Sequence, residues 1–81
     1  MIENKDIRKT PKLYIEWMDA FSDEGWKSDD EIETVFRCSS IGYLIKEDKN
    51  SVCISTTMGR NGQCIDPLSI PKGMITKRKR I

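Results

Sequence analysis

The groups in this 81-residue chain best suited to chemistry are a few aromatics and a scatter of hydrogen-bond donors, and the chemistry they suit is capture rather than turnover. Trp17, Trp26 and Tyr43 carry wide π faces, and an indole beside a cation is a stacking platform for a base or purine. Trp17 and Tyr43 equally suit core packing, whereas Trp26 stands in a polar loop that covers only part of an indole. Arg37, Ser39, Ser40 and Lys72 supply donors that converge on phosphate oxygens if the second strand and the final turn are neighbours, and otherwise serve as solvated surface. Lys72 lies next to the amides of a one-turn helix, a setting that favours anions. Arg60 and Asn61 occupy a hairpin tip, where they either reach a ligand or only turn the chain.

Catalytic machinery is missing from this inventory. The sequence has no histidine, so a cysteine nucleophile lacks its usual base, and no glycine-rich phosphate loop or paired-carboxylate motif occurs. Cys38, Cys53 and Cys64 are odd in number and spaced neither as a disulfide framework nor as a zinc knuckle; they read as small apolar fillers in a reduced, cytosolic setting. The acidic run Asp19, Asp23, Glu24, Asp29, Asp30 and Glu31 has no calcium-loop spacing, and part of it is explained by helix capping. No metal and no cofactor is expected. A net charge of +1 exerts no global pull on nucleic acid or membrane, which leaves Lys77-Arg78-Lys79-Arg80 as the one dense cationic stretch. Those four cations either contact a nucleic-acid backbone or protect an edge strand against edge-to-edge pairing. No apolar run reaches the roughly 18 residues of a membrane-spanning helix.

The elements that position these groups follow from hydrophobic periodicity. At 37% hydrophobic and 33% charged, the chain has room for one small core, preceded by a loose arm over residues 1–11. In Lys12 to Met18, Leu13, Ile15 and Trp17 share one side and Tyr14, Glu16 and Met18 the other, which predicts a strand with one buried face. Asp19 to Trp26 then leaves the sheet. Ser28-Asp29-Asp30-Glu31 is a capping-box sequence and predicts a short helix from about Asp29 to Val35, although Val35 and Phe36 also fit the start of a strand. Arg37 to Lys46 predicts the second strand, with Gly42 marking a bend or bulge, and Glu47 to Asn50 a turn. Ser51 to Met58 predicts a third strand. Asn61-Gly62 predicts a primed hairpin turn, Gln63 to Ile70 a fourth strand with Pro67 at an edge or bulge, and Met74 to about Lys79 the fifth. Pro71 and Gly73, in Ile70-Pro71-Lys72-Gly73-Met74-Ile75, permit one tight helical turn before that last strand.

Strand, excursion, three meandering strands, helical turn, last strand is the order of an all-β, five-stranded SH3-like barrel. On four pieces in sequence the chain also resembles a group of small, mostly uncharacterised bacteriophage proteins. The pieces are Trp17-Met18-Asp19-Ala20, Gly25-Trp26, Cys38 to Asp48 and Ile70 to Ile75, and together they cover nearly all of the chain after Lys12. The resemblance implies a phage source and a size class, without a reaction.

With catalytic groups absent and aromatics near possible phosphate donors, the expected function is non-enzymatic. It is a homo-oligomeric phage protein, acting in the cytoplasm of an infected bacterium, that sequesters a small anionic ligand such as a nucleotide immune signal. The alternative expectation is an adaptor for protein or nucleic acid that uses the barrel surface and the basic last strand.

Overall fold

Alternation in β1 (Lys12–Ala20) puts Leu13 and Ile15 inside, with Trp17 packed against them, and turns Tyr14, Glu16 and Met18 outward. The partners of these residues across the sheet complete the core. The structure is a computed structural model that describes residues 6–20, 26, 28–31 and 35–81. The remaining strands are β2 (Val35–Glu47), β3 (Ser51–Ser55), β4 (Leu68–Pro71) and β5 (Ile75–Arg80). They form one sheet in the order β4-β3-β2-β1-β5, antiparallel throughout, which is the strand order of a small SH3-like barrel. Leu13, Ile15, Val52, Ile54 and Ile70 make the buried core, with Trp17, Leu44 and Ile75 packed around it.

The thirteen-residue β2 serves both halves of the curled sheet. It pairs with β1 from Val35 to Tyr43 and with β3 from Tyr43 to Glu47, so the sheet folds over at Gly42 and Tyr43. Gly42 is buried at this fold, where a Cβ would lie 3.0 Å from the Ser55 carbonyl oxygen. The bulge itself comes two residues later than the glycine suggested, where the register shifts between Leu44 and Lys46. A second register shift, opposite Glu16 and Trp17, bends β5.

An ion cluster joins sequence-distant elements across the curled sheet. Glu47, at the end of β2, accepts two 2.8 Å hydrogen bonds from the Arg78 guanidinium of β5. Its carboxylate also lies 2.9 Å from the Lys72 ammonium on the 3-10 turn Lys72–Met74. Because Arg78 pairs with Ile15, it stands on the core side of β5, and its two-pronged bond ties that strand to the far end of the curled sheet. The Arg78 hydrogen bonds first, and the Lys72 contact second, hold the Glu47 carboxyl down at about 2.

Several local expectations are corrected. No residue among those described is in an α-helix: Asp29–Glu31 is a 3-10 turn, Val35 already begins β2, and residues 32–34 of the expected helix lie outside the described residues. The Asn61-Gly62 pair does not form a primed two-residue turn. The Gly59 amide donates to the Gln63 carbonyl and the Gly62 amide to the Gly59 carbonyl, and of the loop residues only Gly62 has positive φ, at 86°. That makes a three-residue loop with a left-handed glycine at its end, in place of the two positive-φ residues a primed turn requires. The third and fourth strands are shorter than expected, and between Ser55 and Leu68 the ladder is reduced to an isolated Met58–Cys64 bridge. Asp66, at φ 48°, and Pro67 set the chain direction just before β4, so Pro67 falls outside the ladder. Buried Ser55 anchors this connection, donating to the Ile65 carbonyl at 2.6 Å and accepting from the Thr57 amide. Within the expected arm, residues 7–9 form a 3-10 turn capped by Asp6, and the Pro11 carbonyl accepts from the Leu44 amide.

Candidate functional site

Beyond the point where β5 leaves it, β1 continues paired only with β2, and the register shift opposite Glu16 and Trp17 opens a concavity there. Glu16, Trp17, Met18, Arg37, Cys38, Ser39 and Thr76 line it, and it holds about 240 Å³. Three residues nominated from the sequence therefore meet in one groove: Trp17, Arg37 and Ser39. Ser40 supports it from behind, accepting a 3.0 Å hydrogen bond from the Trp17 indole Nε1.

Each side chain has a physical reason for its place. Trp17 pairs with Cys38 across the β1–β2 ladder and packs against the core, so its indole is anchored on that side, and the residue is among those that line the groove. Arg37 pairs with Met18 on the outward face, is exposed, and has no hydrogen-bond or ion partner among the described residues. Ser39 pairs with Glu16 on that same face. Glu16 is the one carboxylate in the lining, and it accepts a 2.7 Å hydrogen bond from the Tyr14 hydroxyl. Thr76 enters at the bent part of β5, its Oγ1 donating to the Glu16 carbonyl at 3.2 Å.

The other nominated residues lie elsewhere. Lys72 pairs with Glu47 and does not line the groove. Tyr43 stands half-buried opposite Lys12, and Trp26 is fully exposed; neither lines the groove. Arg60 and Asn61 sit in the 59–63 loop, where the Asn61 side chain bonds the Gln63 amide and side chain and so shapes the turn. The basic last strand is divided by the pleat. Lys77 and Lys79 pair with Glu16 and Tyr14 on the outward face, while Arg78 and Arg80 pair with Ile15 and Leu13 on the other.

Glu16, Met18, Cys38 and Thr76 joined the groove unannounced by the sequence reading. Glu16 and Met18 were legible as outward-facing by alternation, but Thr76 reaches the site only because of a register shift that no local pattern encodes. Among the described residues, no cluster of three or more side chains could hold a metal ion, and no helix is long and apolar enough to cross a membrane. Asp23 and Glu24 of the acidic run lie outside the described residues. Compared with protein families, with curated proteins and with solved structures, the chain matches none of them.

Proposed function

We propose that this chain is a non-enzymatic binding protein that captures a small anionic ligand of the nucleotide class in the groove between β1, β2 and the bend of β5. The observation that carries the reading is Arg37, exposed and without a side-chain partner among the described residues, lining the same groove as Trp17, whose indole is fixed by packing and by its bond to Ser40. A preset aromatic edge loses little freedom on binding, and an exposed arginine keeps all its donors available for a phosphate. Ser39 and Thr76 add hydroxyl groups to the same lining. The Glu16 carboxylate stands opposite Ser39 and disfavours an anion there, which assigns the phosphate to the Arg37 and Met18 end of the groove.

At about 240 Å³ the groove is below the roughly 300 Å³ where drug-sized sites begin, so one chain encloses only part of a nucleotide. A second copy completing the wall is consistent with this size, and the working form in this reading is a homo-oligomer. Affinity and abundance suffice for a sequestering protein. The resemblance of Trp17 to Ala20 and Ile70 to Ile75 to phage proteins extends the proposal to a counter-defence role, in which the ligand is a nucleotide immune signal of the infected host. Calorimetric titration of the folded chain and of Arg37→Ala with a panel of cyclic and linear nucleotides tests it. At least one nucleotide should bind the unaltered chain and lose at least tenfold in affinity to Arg37→Ala; silence across the panel from folded protein removes the proposal.

A further inference from the structure

The pleat sorts the cations of the β5–β1–β2 half of the sheet in a way the sequence order conceals. On its outward face stand Lys12, Tyr14, Glu16 and Met18 of β1, opposite Tyr43, Ile41, Ser39 and Arg37 of β2. From β5, Lys79 joins Tyr14 and Lys77 joins Glu16 on that face. Four cations, Lys12, Arg37, Lys77 and Lys79, thus share one side with one carboxylate among the described residues of these strands, Glu16, which is hydrogen-bonded by Tyr14. All four cations are exposed, and none has an ion-pair or side-chain hydrogen-bond partner among the described residues. Arg78, in contrast, is committed to Glu47.

Two half-buried tyrosines lie among these charges. Tyr14 pairs with Ile41 and Lys12 with Tyr43, which makes Tyr14 and Tyr43 diagonal neighbours on adjacent strands, about 7–8 Å apart by ladder geometry. From this arrangement we infer that the outward face of β5–β1–β2 is a docking surface for a single-stranded nucleic acid. Cations flanking adjacent aromatic rings on an open sheet match a chain of alternating phosphates and bases, because phosphates need dispersed positive charge and unstacked bases need π faces. A duplex hides its bases and an anionic membrane has none, so the tyrosines favour the single strand over both. This goes beyond capture of a free nucleotide, shares Glu16, Met18, Arg37 and Ser39 with the groove's lining, and stands whether or not the groove binds.

The test is fluorescence anisotropy with end-labelled single-stranded RNA and DNA ten-mers, run on the full chain. If all four cations meet phosphates, the salt slope is about 0.7 per contact, and affinity falls about 50-fold between 50 and 200 mM salt. Lys77→Ala combined with Lys79→Ala removes two contacts, lowers affinity and reduces that fall to about 7-fold. Arg80→Ala, which takes an exposed cation from the opposite side of the same strand, should leave the slope unchanged. Tyr14→Leu should weaken binding about 5-fold or more at constant salt through lost stacking. Melting curves confirm that each variant is folded. Absence of strand binding by folded protein overturns the inference. So does an Arg80→Ala loss as large as half that of the double lysine variant on a logarithmic scale, or equal binding of a blunt duplex or of phosphatidylserine vesicles.

Discussion

Replacing two glycines by alanine, one at the fold of β2 and one in the last 3-10 turn, should move stability in opposite directions. At Gly42 the added Cβ meets the Ser55 carbonyl oxygen at 3.0 Å, the Ile54 Cβ at 3.1 Å and the Ser55 carbonyl carbon at 3.2 Å. Two of those atoms are backbone in the paired β3 strand and the third is at the root of a core side chain, so none yields cheaply. Overpacking of this kind costs about 1–3 kcal/mol. Against it stands the roughly 0.4–1 kcal/mol by which alanine restricts the unfolded chain; with two backbone atoms in the way the cost lies in the middle of its range or above, at about 2–3 kcal/mol, which leaves a net loss of about 1–2 kcal/mol. Gly73 meets nothing within 4 Å and does not have positive φ, so there only the unfolded-state gain operates. With about 2.1 cal/mol/K of unfolding entropy per residue, 81 residues convert 1 kcal/mol to about 6 °C. Gly42→Ala should therefore melt about 6–12 °C below the parent, and Gly73→Ala about 2–6 °C above it. Thermal unfolding followed by far-ultraviolet circular dichroism reads both. A Gly42→Ala protein as stable as the parent or more so would refute the close approach of β3 to β2 on which the curled sheet depends, and a Gly73→Ala protein less stable than the parent would refute the open space around the last 3-10 turn.

Other expectations test the core, the ion cluster and the groove. Ile15→Ala empties a fully buried site between β2 and β5 and should cost about 2–5 kcal/mol in denaturant titration, whereas a cost below 1 kcal/mol would mean the core lies elsewhere. Glu47 has a folded-state pKa near 2 against an ordinary value of 4.5, so its contribution is complete above about pH 4.5 and is lost as pH falls towards 2. Glu47→Gln should flatten that part of the stability–pH curve, and an unchanged curve would contradict the cluster. Ser40→Ala removes the acceptor of the Trp17 indole and should cost about 1 kcal/mol, with a shifted indole fluorescence maximum. An unchanged spectrum and stability would show that the bond does not hold the ring.

How much of this was legible in the sequence depended on how local the cause was. Leu13, Ile15 and Trp17 announced β1 because one face of a strand is buried and the pleat has a period of two. The helical turn at Lys72–Met74 was legible because Pro71 and Gly73 punctuate it. Asn61-Gly62 misled, since the turn type is fixed by the pairing of Gly59 with Gln63 and not by the dipeptide itself. The fourth strand was overdrawn because nothing local revealed the left-handed Asp66. Within the groove, Trp17, Arg37 and Ser39 were foreseeable from alternation about one ladder, whereas Thr76 is sixty positions from Glu16, to which it bonds. The assignment of Lys72 and Arg78 to Glu47 was equally hidden, because partners that meet by barrel closure leave no spacing to read.

The most direct measurement is a nitrogen–proton correlation spectrum of the labelled chain titrated with the tightest-binding nucleotide of the panel. The Trp17 indole N–H, held by Ser40, is one of two indole reporters in the chain, told from that of Trp26 by a Trp26→Phe variant, and Trp17 lines the groove. Its signal should move together with the amides of Arg37, Ser39 and Thr76, while those of Arg60, Asn61 and Lys72 stay in place. Shifts confined to the 59–63 loop or to the Lys72–Met74 turn, with the Trp17 indole signal unmoved, would contradict capture between β1 and β2.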